Sequence, residues 1–484
     1  MVLALKAGPV IYQARRGRGW MVRDVPRIAL LAGFLLTGWS AAFAQSDDWT
    51  ICAKASGSAA LAACDRAIGS GQLIGRPLAL AYSNRGVEWM AAGDIARAIA
   101  DYDQAVQHDP SQAATFLNRG VARASKRDFD GAIADYDEAI RLNPKYATAH
   151  GNRGLAHFSK GDHSRAIADY DQAVNLAPDA VTLNNRGNAH ASRGDFERAI
   201  RDFDEAVTLN PRYAIAFYNR GNALYAKGDP DRAIQNYDQA LAIDPKYQDA
   251  LVNRGVANES KNRLDHAMRD YDEAIKLDPK DPVAFNNRGN ALLKRGQSAR
   301  AIADYDQSLR LDPGQVGVYY SRAIALESRR QYVAALIDYD HITRLQPANV
   351  AAWNSRCWTR AVIGQLQTAL ADCNEALRMR PEFANALDSR GFVHLKAGRY
   401  DDAIADYEAA LRLDPKKVAS LYGRGMAKRR KQDFSGGNAD IAAARVMRPE
   451  ISAEFARYGL NPPLAEGPRR DGEPTAPHPV AGNR

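Results

Sequence analysis

The amino-acid sequence predicts an all-α protein, an α-solenoid in which about eleven antiparallel helix pairs stack into a right-handed superhelix. Two observations carry the prediction. An Asn-Arg-Gly type triplet recurs with its arginine at Arg85, Arg119, Arg153, Arg186, Arg220, Arg254, Arg288, Arg322, Arg356, Arg390 and Arg424; nine of the ten spacings are 34 residues and one is 33. Other positions keep step with the arginine. Alanine stands thirteen residues later from Ala98 to Ala403 (Gly437 is the exception), an aromatic follows four further on in most units, and every unit closes in proline, from Pro110 to Pro449. The composition, 46% hydrophobic and 25% charged, excludes a collagen, a polytopic membrane protein, a disulfide-knotted miniprotein and a wholly disordered chain.

Taken in chain order, the first element is an export signal. Residues 28–38 form a short apolar run after Arg23 and Arg27 and before Ala42-Phe43-Ala44. A basic flank, an apolar stretch too short to span a bilayer comfortably and a small-x-small site describe a cleavable secretory segment over residues 1–44. Cleavage is expected near Ala44, leaving Gln45 first and the protein periplasmic or secreted. Met21 sits where a signal of ordinary length would begin, which makes it an alternative translation start. Arg15-Arg16 lies too far from the apolar run to read as a twin-arginine signal, and no cysteine follows the cleavage site. Residues 1–44 carry five of the eight net positive charges, so the remaining chain is nearly balanced and its basicity does not call for nucleic acid.

Residues 45–78 read as a degenerate capping unit, since Ala60-Leu61-Ala62-Ala63-Cys64-Asp65-Arg66-Ala67-Ile68 imitates the second helix of a repeat. Over 79–451 each repeat reads as two helices split by a Gly-Asp turn, as at Gly93-Asp94, Gly161-Asp162 and Gly194-Asp195. Small Gly86 and Ala98 let the two helices approach, Tyr102 fills the space beside them, and proline ends the second helix because it cannot continue the hydrogen-bond ladder. One such pair cannot bury its own apolar face, whereas a stack buries a continuous one. After Pro449 an amphipathic segment, 452–460, is expected to cap the last repeat; 461–484, rich in proline, glycine and charge, reads as a disordered tail.

The glycine after the arginine, the alanine, the aromatic and the closing proline sit at the spacing of the tetratricopeptide repeat (TPR) family, which residues 79–451 resemble. The departure is the arginine, which stands where that family usually has leucine. The resemblance implies first helices lining a concave groove and a role in binding proteins. The family's carboxylate clamp uses groove lysines that are largely missing here.

Four cysteines in an exported chain suggest two disulfides. Cys357 takes the repeat's glycine position and Cys373 its tyrosine position, two positions that should touch, and both depart in the same repeat. Cys52 and Cys64 flank a small-residue turn and could pair likewise; buried free thiols are the alternative for both pairs.

All eleven repeats carry the arginine, and ten carry aspartate sixteen residues later, with Asn236 the exception. Arg85 with Asp101, Arg119 with Asp135 and Arg153 with Asp169 are therefore expected to form bidentate structural ion pairs. The other reading, a basic stripe facing the groove, would be neutralised by the matched acids. The two acids of each Asp-Tyr-Asp triplet point to nearly opposite sides of a helix, so one is expected to be paired and the other solvated.

The asparagine before the arginine is the sharpest functional feature. Asn84, Asn118, Asn152, Asn185, Asn219, Asn253 and Asn287 occupy it in seven repeats, then Ser321, Ser355, Ser389 and Gly423. An amide donates and accepts, so a row of them can hold the backbone of an extended peptide whatever its sequence. The row is similar to the asparagine ladder in the TPR superhelix of the O-linked N-acetylglucosamine transferase. Alternatively each asparagine bonds its own repeat and stiffens the stack. Asn188, Asn222, Tyr218, Tyr225, Asn286, Asn290, Tyr320, Asn354 and Trp358 are expected beside the row on the inner surface, a neutral polar and aromatic lining suited to peptide.

No GxxxxGK[ST], HExxH or GxSxG occurs, and the nine histidines read as falling at unrelated repeat positions without metal-ligand spacing. The expectation is a non-enzymatic scaffold or adaptor without cofactor or metal, binding a protein or peptide and neither nucleic acid nor a small-molecule substrate. The alternative is a self-assembling envelope protein whose solenoid ends stack on other copies.

Overall fold

The computed structural model describes residues 47–461. The expected signal, its cleavage point after Ala44 and the tail beyond residue 461 lie outside the described residues. These contain twenty-five α-helices, from α1 (Asp47–Lys54) to α25 (Ile451–Arg457), and no strand. Packing divides them into two compact units, 47–279 and 280–461. The first unit holds α1, α2 (Ser58–Gly69) and six helix pairs; the second holds five pairs and α25.

The first pair shows why the sequence folds this way. Helix α3 (Gly75–Ala91) ends at Gly93, whose φ of 82° is the left-handed conformation that glycine adopts without cost. Asp94 then caps α4 (Ile95–His108), its carboxylate accepting from the Arg97 backbone N–H at 3.0 Å. Asp128, Asp162, Asp195, Asp229 and Asp433 repeat that cap. Where glycine is missing, Arg127, Asn262, Arg330 and Gln432 are held at the same positive φ, between 57° and 69°. At the other end Asp109, preceding Pro110, is driven to an extended φ of −149° and stops α4.

Within the pair, a Cβ added to Gly86 would lie 2.7 Å from Tyr102 Cε1, so only glycine lets α3 meet the buried tyrosine ring. The same approach recurs at Gly120, Gly221 and Gly255. In α19 (Val350–Val362) and α20 (Leu366–Met379) the glycine–tyrosine contact is replaced by a disulfide, Cys357–Cys373, with a Cα separation of 5.4 Å. A second disulfide, Cys52–Cys64, ties α1 to α2 with a Cα separation of 4.7 Å. Helix α2 also supplies Asp65, which accepts from Arg85 Nη1 at 2.6 Å, so the capping unit presents to the first repeat the acid that each repeat presents to the next.

The last helix differs from its expected place. It is shorter than 452–460, and it does more than cover the final pair: it folds back over the first helices of three repeats.

Candidate functional site

Each repeat carries its arginine in the middle of its first helix. Arg85 Nε donates to Asp101 Oδ2 at 2.8 Å and Nη2 to Oδ1 at 2.7 Å. Arg119 meets Asp135 and Arg153 meets Asp169 in the same way, with Nη2–Oδ1 distances of 2.6 Å. The remaining nitrogen, Nη1, crosses to the preceding repeat: Arg119 to Asp103 at 2.8 Å, Arg153 to Asp137 and Arg254 to Asp238 at 2.6 Å. Here the expectation is corrected in part, because the second acid of Asp-Tyr-Asp stays about half exposed, Asp103 at 47%, and is nevertheless paired. Residues two apart point to opposite sides of the helix, so one acid faces its own repeat and the other the next. Arg119, Arg153, Arg186, Arg254, Arg322 and Arg356 thus each join two repeats, with an acid on either side of the guanidinium. At Asn236 the amide substitutes: Arg220 Nε donates to Asn236 Oδ1 at 2.6 Å, and the amide N–H finds the Arg232 carbonyl at 2.8 Å. Hydrogen bonding to Asp101 holds Arg85 firmly charged. Burial lifts the Asp135, Asp270 and Asp338 carboxyls above their usual range, and the arginines oppose that lift.

A further column went unread in the sequence. Four residues after the arginine, one helical turn on, a second cation often faces the same carboxylate. Arg123 lies 3.0 Å from Asp135, Arg360 2.7 Å from Asp372 and Lys428 3.0 Å from Asp440. His157, His190 and His394 hold the same position, 3.9, 3.9 and 3.6 Å from Asp169, Asp202 and Asp406. These three histidines are thus not at unrelated repeat positions; counting from the arginine would have aligned them.

Burial pushes all three histidines below the usual imidazole pKa, although the nearby aspartates pull upward. The unfolded chain therefore takes up a proton first, as pH falls through about 6.5, and stability declines below that point. Glu327, held up to about 7 by burial, works with the opposite sign. Replacing His157 and His190 by leucine, the residue native at 224 and 292, leaves Glu327 in place. The double variant is expected to lose less of its melting temperature between pH 7.5 and 5.5 than the wild type. Equal losses would remove the histidines from the account.

The structure separates the asparagine row into two groups. Asn84, Asn118, Asn152 and Asn185 are half-buried, as are Asn222 and Tyr225. Asn219, Asn253 and Asn287 are 4%, 2% and 0% exposed. Asn219 Nδ2 donates to Asn184 Oδ1 at 2.8 Å, and Asn253 Nδ2 to Tyr218 Oη at 3.1 Å and Asn222 Oδ1 at 2.8 Å. In helices α11 (Ala214–Ala226) and α13 (Gln248–Ser260) the row thus stitches each first helix to the one before it. Tyr218, Asn188 and Asn290, expected on the inner surface, are buried too, and Asn290 accepts from Tyr305 Oη at 2.9 Å. Neighbouring first helices lie close enough for amide and hydroxyl groups to meet across them, which withdraws Asn219, Asn253 and Tyr218 from a surface that meets a ligand. Asn184 is the partner that sequence reading passed over.

Two side chains stand apart from this stitching. The Asn152 and Asn188 Nδ2 groups are buried with no hydrogen-bond partner in the protein. An amide donor in that position costs about 1–3 kcal/mol until an acceptor reaches it. Among the described residues no helix is long and apolar enough to cross a membrane, and no cluster of histidine, cysteine or acid is arranged to hold a metal ion.

Helix pairs packed one after another within each unit define a helical-repeat scaffold. Three models described as tetratricopeptide repeat match the chain, one over residues 84–138, 117–181, 184–248 and 218–282, one over 270–303 and one over 384–417. Together they span just over half of the 484 residues, and the chain belongs to the tetratricopeptide repeat family. Members of that family generally mediate protein–protein interactions and are typically non-enzymatic. No curated protein matches the chain. Among solved structures it is similar to YrrB, described as a TPR protein with an unusual peptide-binding site, at 23% identity over 38% of this chain and 95% of that one, with a TM-score of 0.34. It is also similar to MamA, at 27% identity over 35% of this chain and 92% of the other (TM-score 0.33). A third is the Pseudomonas aeruginosa protein pilF, at 24% identity over 43% and 94% (TM-score 0.39).

Proposed function

We propose that this chain is an exported scaffold that captures extended peptide segments of partner proteins on the first-helix face of its early repeats. The observation that carries the reading is the pair of buried, unpartnered amide donors at Asn152 and Asn188, flanked by half-buried Asn118 and Asn185. A peptide backbone offers carbonyl acceptors along its length, and those acceptors are independent of its sequence. In later repeats the equivalent amides have found partners within the stack, so capture belongs to the early ones. Export rests on the apolar run at 28–38 and the Ala42-Phe43-Ala44 site.

The test is a crosslinked pull-down from the cell-envelope fraction with wild type and Asn118→Ala/Asn152→Ala/Asn185→Ala, folding being confirmed by circular dichroism. A partner held by wild type and lost from the folded variant supports the reading. Capture of the same proteins by both overturns it. Asn253→Ala serves as the contrast: it removes one buried and one half-buried hydrogen bond, and is expected to cost about 1–3 kcal/mol in urea unfolding while leaving capture unchanged. Amino-terminal sequencing of the mature protein tests export, with Gln45 expected first.

A further inference from the structure

A cleft of about 270 Å³ opens in the first unit between α8 (His163–Leu176), α9 (Ala180–Ser192) and α10 (Phe196–Leu209). Its polar lining is three arginines, two aspartates and a histidine: Arg186, Arg198, Arg201, Asp171, Asp202 and His190. The charges are unequally committed. Arg186 holds both acids, donating through Nη2 to Asp202 Oδ1 at 2.7 Å and through Nη1 to Asp171 Oδ1 at 2.8 Å. Both carboxylates are therefore engaged in the clamp between repeats. Arg198 meets Asp195 three residues back, Nε to Oδ2 at 3.2 Å, in an exposed pair of the kind that contributes little. Arg201 has neither a hydrogen bond nor an ion pair among the described residues. His190 is 7% exposed, and its Nε2 stands 3.9 Å from Asp202 Oδ2, beyond hydrogen-bond reach. Burial favours the neutral imidazole, which keeps one ring N–H to donate.

Position 201 is where this repeat departs from the others. Fifteen residues after the arginine, seven of the eleven repeats carry alanine, from Ala100 to Ala439, so the stack itself does not need a cation there. Arg269 is the other arginine at that position, but Asn258 and His266 stand in its repeat where the cleft has His190 and Arg198. Arg198 and Arg201 are three residues apart on α10 and so share a face of it. Two guanidinium forks on one ligand call for more acceptors than the two oxygens of a carboxylate. A phosphoryl group offers at least three around one centre, and arginine forks match that geometry.

We propose that this cleft binds a phosphoryl oxyanion, held by the Arg198 and Arg201 forks together with the His190 N–H. Inorganic phosphate and the phosphate monoester of a small polar molecule share that chemistry, and the volume admits either. The proposal is independent of the asparagine row, since none of Asn118, Asn152 and Asn185 lines the cleft.

Isothermal titration calorimetry of the full chain, with inorganic phosphate and with glycerol phosphate as probes, tests it. Wild type is expected to bind at least one of them at a single site at physiological ionic strength. Arg201→Ala installs the residue native to most repeats and so keeps the fold, which circular dichroism checks. It is expected to weaken binding about tenfold or more, the size of one lost charge-assisted hydrogen bond. Arg198→Ala should weaken it as well. Arg165→Ala removes the equivalent of Arg198 one repeat earlier, where Ala168 stands in place of Arg201, and should leave binding unchanged. Tighter binding of phosphate identifies the free ion as the ligand, and tighter binding of glycerol phosphate a monoester. Binding of neither by wild type, wild-type affinity in Arg201→Ala or Arg198→Ala, or an equal loss in Arg165→Ala overturns the proposal. The triple asparagine variant should bind as wild type does, so failure here and failure of peptide capture are told apart.

Discussion

Arg322→Ala is expected to destabilise the second unit by about 3–5 kcal/mol, the cost of leaving a buried carboxylate without its cation. Arg322 donates to Asp338 through Nε and Nη2, at 3.0 and 2.5 Å, and to Asp306 of the preceding repeat through Nη1 at 2.5 Å. Asp338 is 1% exposed, so water cannot replace the guanidinium. The loss should shrink as pH is lowered. Without the arginine the folded carboxyl binds its proton more tightly than the unfolded one, and stability is regained as pH falls into the carboxylate range. Asp338→Asn should cost much less than Arg322→Ala, because the repeat containing Arg220 and Asn236 already works with an amide there. Urea unfolding midpoints at pH 7.5 and 4.5 decide the matter. An unfolding free energy for Arg322→Ala within about 0.5 kcal/mol of wild type at both pH values would mean that the clamps contribute no stability.

Removing the Cys357–Cys373 disulfide should be comparable in size. Closing a loop of sixteen residues in the unfolded chain is worth about 3 kcal/mol. Cys357→Ala/Cys373→Ala should therefore unfold at lower urea than the oxidised wild type, with faster amide exchange in α19 and α20. The more specific expectation concerns repair. Cys357→Gly/Cys373→Tyr rebuilds the contact that Gly86 makes with Tyr102 and should recover most of the loss. Failure to recover would show that this repeat's helices have settled at a spacing the ring no longer fits. The site matters because α19 also carries Trp358, whose ring meets Tyr458 just after α25, so loosening the pair loosens the seat of that helix.

Much of the architecture was legible in the sequence because it is local and repeated. A 34-residue period, a glycine that needs a positive φ and an aspartate ready to cap are properties of neighbouring residues, and eleven copies average out the exceptions. The pairing of Arg85 with Asp101 could be read at a fixed offset for the same reason. The histidines four residues after the arginine were equally available and were missed by counting histidines instead of repeat positions.

The site was less legible. An asparagine presents the same letter whether it faces solvent or a neighbouring helix. Asn118 and Asn253 are identical in sequence context, Asn-Arg-Gly in both, yet one is half-buried and the other is enclosed by Tyr218 and Asn222. That difference depends on what stands at the adjoining positions of the preceding repeat, a contact between residues 31 to 35 apart. The second acid of Asp-Tyr-Asp was misread in part on the same ground, since its arginine belongs to the next repeat.

By itself, then, the sequence determined the helix pairs, their boundaries, the clamps within each repeat and the family. Only the tertiary structure decided which asparagines remain accessible, that the clamps continue from repeat to repeat, and that α25 turns inward onto Phe392, Tyr422 and Trp358. The physical reason is range: hydrogen bonding and capping act within a turn or two of helix and leave a periodic trace, whereas burial and long-range packing depend on surfaces that exist only once the repeats have stacked.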